Sequence, residues 1–126
     1  MNKSILIIMS TFLFVPFLHA QTSHNNASLK LEGKIIDTIA SLKEVVERSK
    51  YVEEQTKGKR HLQFAIWNRP KKATPYYWVK VMEDNGVSLY THFNFYVYPK
   101  TMTIKYYDTI NDRIIDLATW RKNEKD

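Results

Sequence analysis

From Leu29 the apolar positions recur at helical spacing. Leu31, Ile35, Ile39, Leu42 and Val46 step by four and three, with Ile36 and Val45 widening the stripe. Lys30, Lys34, Asp37, Lys43, Glu44 and Glu47 fall mostly on the other side, as one amphipathic helix packed on a core requires. The pattern runs to about Glu54 or Gln55 and ends in Thr56-Lys57-Gly58, where a glycine can take the left-handed stop. Beyond Gly58 the period changes from helical to alternating. His61 to Asn68 alternates Leu62, Phe64 and Ile66 against Gln63, Ala65 and Trp67, and so predicts a strand. Arg69-Pro70-Lys71-Lys72-Ala73-Thr74-Pro75 breaks it. Three further strands are predicted over Tyr76–Glu83, Val87–Tyr98 and Thr103–Asp108. Ile110 to Arg113 reads as a turn-rich return. Asp116 then stands as an N-cap for a short terminal helix, Leu117 to Asn123, whose Leu117 and Trp120 can close one end of the core.

The turns decide which side chains share a face. A two-residue Asn85-Gly86 turn would set Val79 opposite His92, whereas a three-residue turn with Gly86 left-handed would set Val81 opposite Leu89 and Val79 opposite Thr91. A slip of one residue exchanges the faces, so the hydrophobic pattern selects the three-residue turn. The Pro99-Lys100-Thr101-Met102 turn sets Val97 opposite Ile104 and Phe95 opposite Tyr106. One face is then Tyr77, Val79, Val81, Leu89, Phe93, Phe95, Val97, Ile104 and Tyr106, a core awaiting the helix. The other carries Tyr76, Trp78, Lys80, Met82, Tyr90, His92, Asn94, Tyr96, Tyr98, Lys105 and Tyr107. Solvent-facing strands do not ordinarily hold so many large aromatics.

The expected architecture is α+β: one N-terminal helix packed on a curled four-stranded antiparallel sheet, with a short C-terminal helix. That element order over Leu29 to Asp108 resembles the cystatin-like superfold, which includes the cystatins, the PepSY-type modules of secreted bacterial proteins and, more distantly, NTF2-like domains. The hairpin F-Y-V-Y-P-K-T-M-T-I-K-Y-Y is similar to the close of PepSY-type units. The resemblance implies an inhibitory or regulatory role in the cell envelope, including immunity against a secreted toxin. Cystatin inhibitors carry Q-x-V-x-G between their first two strands. Here that place holds Trp67-Asn68-Arg69-Pro70-Lys71-Lys72, so inhibition of cysteine proteases by that motif is not implied.

Residues 1–20 read as an export signal: Lys3, an apolar run from Ile5 to Leu18, and a small residue, Ala20, before Gln21. The run falls short of the ~20 residues of a membrane span and contains Pro16, so cleavage is favoured over an anchor. Residues 21–28 are polar and read as a flexible leader; 29–126 form a single domain. The chain has no cysteine. A secreted disulfide scaffold, a thiolate metal site and a cysteine nucleophile are therefore excluded, and the expected setting is bacterial, periplasmic or secreted.

The net charge of +6 is compatible with acidic partners or with solubility alone. Its clusters, Lys57-Lys59-Arg60 and Arg69-Lys71-Lys72, flank the first strand about 25 Å apart. No paired metal-ligand spacing, serine elbow or phosphate-binding loop is present, so no cofactor, metal or catalytic residue is expected. Nucleic acid is not expected either, because export removes the chain from it. The candidate site is the aromatic face, centred on Trp78, Tyr90, His92, Tyr96 and Tyr107, with a protein, a peptide or a second copy of the chain as partner. Tyr and Trp suit that role, giving large contact area with few rotamers to freeze. The alternative is an NTF2-like pocket for a small molecule near His92 and Asp108.

Overall fold

The computed structural model describes residues 19–124, with side chains from Asn25 onward. The expected export signal therefore lies, but for its last two residues, outside the described residues. Two helices, α1 (His19–Ala40) and α2 (Lys43–Gln55), stand where the periodicity gave one. The stripe carries across the break, since Ile35, Ile39, Leu42 and Val45 all reach the core, but Val46, expected as its last member, is 52 % exposed. Hydroxyl side chains bond to the backbone at and just before the break. Thr38 Oγ1 donates to the Lys34 carbonyl (2.7 Å) and Ser41 Oγ to that of Thr38 (2.8 Å), while Leu42 is extended. Side chains of this type offer the backbone an alternative to the helical ladder. The first helix already includes His19, the first described residue, so the stretch 21–28, expected as a flexible leader, is helical. At the other end α2 stops through two left-handed residues, Lys57 (φ 53°) and Gly58 (φ 74°), with the Gly58 amide donating to the Glu53 carbonyl at 2.8 Å.

The sheet is antiparallel with strands in sequence order: β1 (Leu62–Asn68), β2 (Tyr77–Asp84), β3 (Leu89–Tyr98), β4 (Thr103–Asp108) and β5 (Arg113–Asp116). It has five strands, not four. The fifth occupies the expected return, with Ile115 facing Tyr106 and Ile114 facing Tyr107. The terminal helix α3 (Leu117–Asn123) follows it directly. Asp116 sits at the cap position without capping; its carboxylate instead meets Lys105 Nζ at 3.1 Å.

The β3–β4 hairpin pairs Val97 with Ile104 and Phe95 with Tyr106, as the turn implied. The β2–β3 hairpin does not follow the expected register. Asp84 pairs with Leu89, leaving Asn85 to Ser88 as a four-residue turn. Asn85 Oδ1 accepts from the amides of Val87 and Ser88, and Gly86 has φ 84°. Alone, this register would set Val81 opposite His92 and put the apolar residues of the two strands on opposite faces. His92 is bulged out of β3 instead, so that Val81 meets Phe93, Val79 meets Phe95 and Tyr77 meets Val97. Leu89, on the far side of the bulge, leaves the core and is 51 % exposed.

The helices α1, α2 and α3 pack on one side of the sheet. Ile35, Ile39, Val45, Tyr77, Val79, Val81, Phe95, Val97 and Trp120 form the buried cluster. Trp120 stacks on Tyr106 (4.3 Å, 7°) and meets Phe93 and Phe95 edge-on, each at 5.8 Å. Two bidentate ion pairs tie the helices down: Arg69 to Glu32 of α1 (2.7 and 3.0 Å), and Arg121 of α3 to Glu44 of α2 (2.6 and 3.1 Å).

Arg121 holds the Glu44 carboxyl below its ordinary 4.5. A depressed folded-state pKa contributes stability that is present above 4.5 and lost as pH falls through the folded value. Urea midpoints measured from pH 6 downward are therefore expected to fall in acid, and Glu44→Gln to remove part of that slope. An unchanged slope would mean that the pair does not hold α3 to α2.

Candidate functional site

The face opposite the helices is built by strand alternation. Trp78 and Lys80 of β2, Tyr96 and Tyr98 of β3, and Lys105 and Tyr107 of β4 all point away from the core. Tyr76 joins them from just ahead of β2. The three tyrosines form a column: Tyr96 is sandwiched between Tyr76 (4.1 Å, 18°) and Tyr107 (4.8 Å, 16°). Trp78 stands perpendicular to Tyr107 (5.4 Å, 90°) and to Tyr96 (5.9 Å, 83°), and its indole N–H donates to Asn94 Oδ1 at 3.0 Å. The column is tight enough that Tyr96 is only 6 % exposed and Asn94 9 %. This is a second, smaller cluster on the side of the sheet that no helix among the described residues covers.

Trp67 completes it from β1. A register shift at this residue leaves it between the Ile66–Val79 and Asn68–Trp78 pairs, and its ring lies 6.5 Å from Trp78. Lys80 Nζ sits 3.6 Å above the Trp67 ring and 5.0 Å from that of Trp78. Such contacts contribute ~0.5–1 kcal/mol at an exposed site. Trp67 remains 56 % exposed. It was not among the expected site residues, although the alternation of β1 places it opposite Leu62, Phe64 and Ile66, which is the signal for this face.

Tyr96 has both ring faces covered, by Tyr76 and Tyr107, each of which turns one face to it; the surface also offers hydroxyls and the ammonium groups of Lys80 and Lys105. Burial, first, and the neighbouring Tyr76 and Tyr107 hydroxyls push the Tyr96 phenol well above the usual tyrosine value. Tyr107 donates to Asp112 Oδ1 at 2.8 Å, which raises it as well.

The structure brings together three of the five expected residues: Trp78, Tyr96 and Tyr107. The bulge separates the other two. Because β3 changes phase at His92, Tyr90 pairs with Glu83 on the helix side, and the His92 ring meets Glu83 Oε2 at 2.9 Å and packs against Phe93. Tyr90 is edge-on to His92 at 4.9 Å. The bond from His92, followed by that from Arg60 (3.4 Å), lowers the Glu83 carboxyl. A cleft of about 560 Å³ between this group and the end of α2 is lined by His92, Glu83, Arg60, Thr56 and Tyr51. Asp108 lines no part of it. Its carboxylate accepts from Asn111 and the Ile110 amide, faces Arg113, and is lowered chiefly by Asn111. A second groove, of about 700 Å³, lies between α2 and α3 over Phe93 and Trp120.

Among the described residues no three His, Asp or Glu side chains converge as metal ligands would, and no helix is long and apolar enough to cross a membrane. Comparison of the chain with family models, with curated proteins and with solved structures returns no match.

Proposed function

We propose that the chain is an exported, non-enzymatic binding module that recognises a protein or peptide with its aromatic face, in the inhibitory or regulatory role that the cystatin-like and PepSY-like resemblance implies. The observation that carries this reading is the placement of α3. Trp120 packs with Phe93, Phe95 and Tyr106 on the helix side, so the second layer that could have made the aromatic face an interior is spent elsewhere. What stays open is a surface of tyrosine and tryptophan rings with hydroxyl and ammonium groups. Such a mixture suits a protein contact, where large apolar area and scattered hydrogen bonds are needed together.

The second reading, a small-molecule site or enzyme, draws on the cleft at His92, with Glu83 in the place expected of Asp108.

The test uses Trp67→Ala/Lys80→Ala, because both side chains lie at the surface of the cluster rather than inside it. The purified wild-type chain is expected to retain one defined protein from envelope and secreted fractions. The double variant is expected to lose that protein while its urea midpoint moves by the equivalent of ~1 kcal/mol or less. Retention undiminished in a folded variant would move the search to the His92 cleft.

A further inference from the structure

Strand β1 is an edge whose one protective feature is the register shift at Trp67, which leaves Leu62–Ile66 regular. Natural edge strands are kept from pairing by charge, proline, shortness, bulges or cover. The opposite edge obeys this: β5 has four residues with Arg113 and Asp116 at its ends, and it runs straight into α3. Strand β1, Leu-Gln-Phe-Ala-Ile-Trp-Asn, has seven residues, no charge and no proline. It pairs only with β2, and among the described residues no backbone group from Leu62 to Asn68 has any other hydrogen-bond partner. Half of its N–H and C=O groups therefore point outward with no partner among the described residues.

The ends of this edge are basic. Arg60 is engaged with Glu83 and Arg69 with Glu32. Lys57 and Lys59 before the strand, and Lys71 and Lys72 after it, are exposed and have no carboxylate within reach among the described residues. That charge selects the occupant. Two copies of β1 paired antiparallel about Ala65 would bring Lys57–Arg60 of one against Arg69–Lys72 of the other. Like charges in register at both ends oppose a dimer.

We infer that β1 takes an extended peptide as a sixth strand, and that this peptide carries acidic residues on both sides of an apolar, alternating run. The inference rests on the reading of the chain as a protein- or peptide-binding module and names how the partner is held. Main-chain hydrogen bonds supply affinity in such strand addition, and alternate side chains supply selectivity. One set of peptide side chains lies beside Leu62, Phe64 and Ile66 at the rim of the core. The other lies beside Gln63, Ala65 and Trp67, continuous with the aromatic face.

The probe is a short fluorescein-labelled peptide of alternating valine and threonine with a pair of aspartates at each end. It is expected to bind the purified chain and to slow amide exchange at alternate residues of Leu62–Ile66. Lysine in place of aspartate, or the Lys71→Glu/Lys72→Glu variant, is expected to weaken binding about tenfold or more. N-methylation of alternate peptide nitrogens is expected to abolish binding in one phase and spare it in the other. Absence of binding, binding without slowed exchange in β1, or self-association of the chain through β1 would each overturn the inference. A natural partner lost by Trp67→Ala/Lys80→Ala but kept by Lys71→Glu/Lys72→Glu would leave the aromatic-face reading standing and remove the edge.

Discussion

Trp120→Ala is expected to destabilise the fold by about 3–5 kcal/mol, the usual range for truncating a large buried aromatic. The indole is 5 % exposed and meets three rings at once, stacked on Tyr106 and edge-on to Phe93 and Phe95. Alanine leaves a void beneath α3, and that helix has only seven residues with which to adjust. Small domains are stable by about 5–15 kcal/mol, and this chain has no disulfide to limit its unfolded state. Much of its stability would be lost. Equilibrium urea unfolding at neutral pH reads the change directly. A loss under about 1 kcal/mol would show α3 undocked, and the case for an uncovered aromatic face would fail with it.

The order of elements was legible because each carries its own period. The stripe from Leu31 to Val46 reads as helix, and Val97 against Ile104 follows from a turn with Pro99 at its start. The break at Ser41 was not legible from periodicity, since Leu42 and Val45 continue the stripe across it. Helical structure over residues 21–28 extends α1 without adding an apolar face, so no pattern announces it. Strand β5 offers only Ile114 and Ile115 between two charged residues, too little to separate a strand from a turn.

The consequential error came from one bulge. Leu89, Thr91, Phe93 and Phe95 read as a continuous alternation, yet the phase changes at His92, and Thr91 was the residue out of keeping with a core row. That slip carried Tyr90 and His92 onto the wrong face and into the candidate site. Trp78, Tyr96 and Tyr107, which lie beyond the bulge or on other strands, kept their assignment. Trp67 lies on β1, whose register with β2 the Asn-Gly turn between β2 and β3 does not fix.

Tyr96 separates the two roles that an aromatic face can have, since it is the most enclosed of its rings. Tyr96→Ala is expected to cost about 3–4 kcal/mol, in contrast to the small cost at exposed Trp67, because it removes the centre of a three-ring stack. Tyr96→Phe keeps the stack and removes only the hydroxyl, so at neutral pH its effect should stay near 1 kcal/mol. Alkali distinguishes the two proteins further. In the unfolded chain the phenol ionises near 10.0, whereas in the fold burial and the Tyr76 and Tyr107 hydroxyls keep it neutral to higher pH. A raised folded-state pKa contributes stability that is complete below the unfolded value and declines as pH rises through the interval up to the folded one. The wild type should thus lose up to about 1.4 kcal/mol per pH unit from this one group above pH 10. Tyr106, raised by its burial, and Tyr107, raised by Asp112, add to the wild-type decline and persist in the variant. Tyr96→Phe should therefore fall less steeply, so that its deficit at neutral pH narrows in alkali. Parallel curves for the two proteins would mean that the Tyr96 hydroxyl is not enclosed between its neighbours, and that the tyrosines of this face move independently instead of forming a preorganised surface.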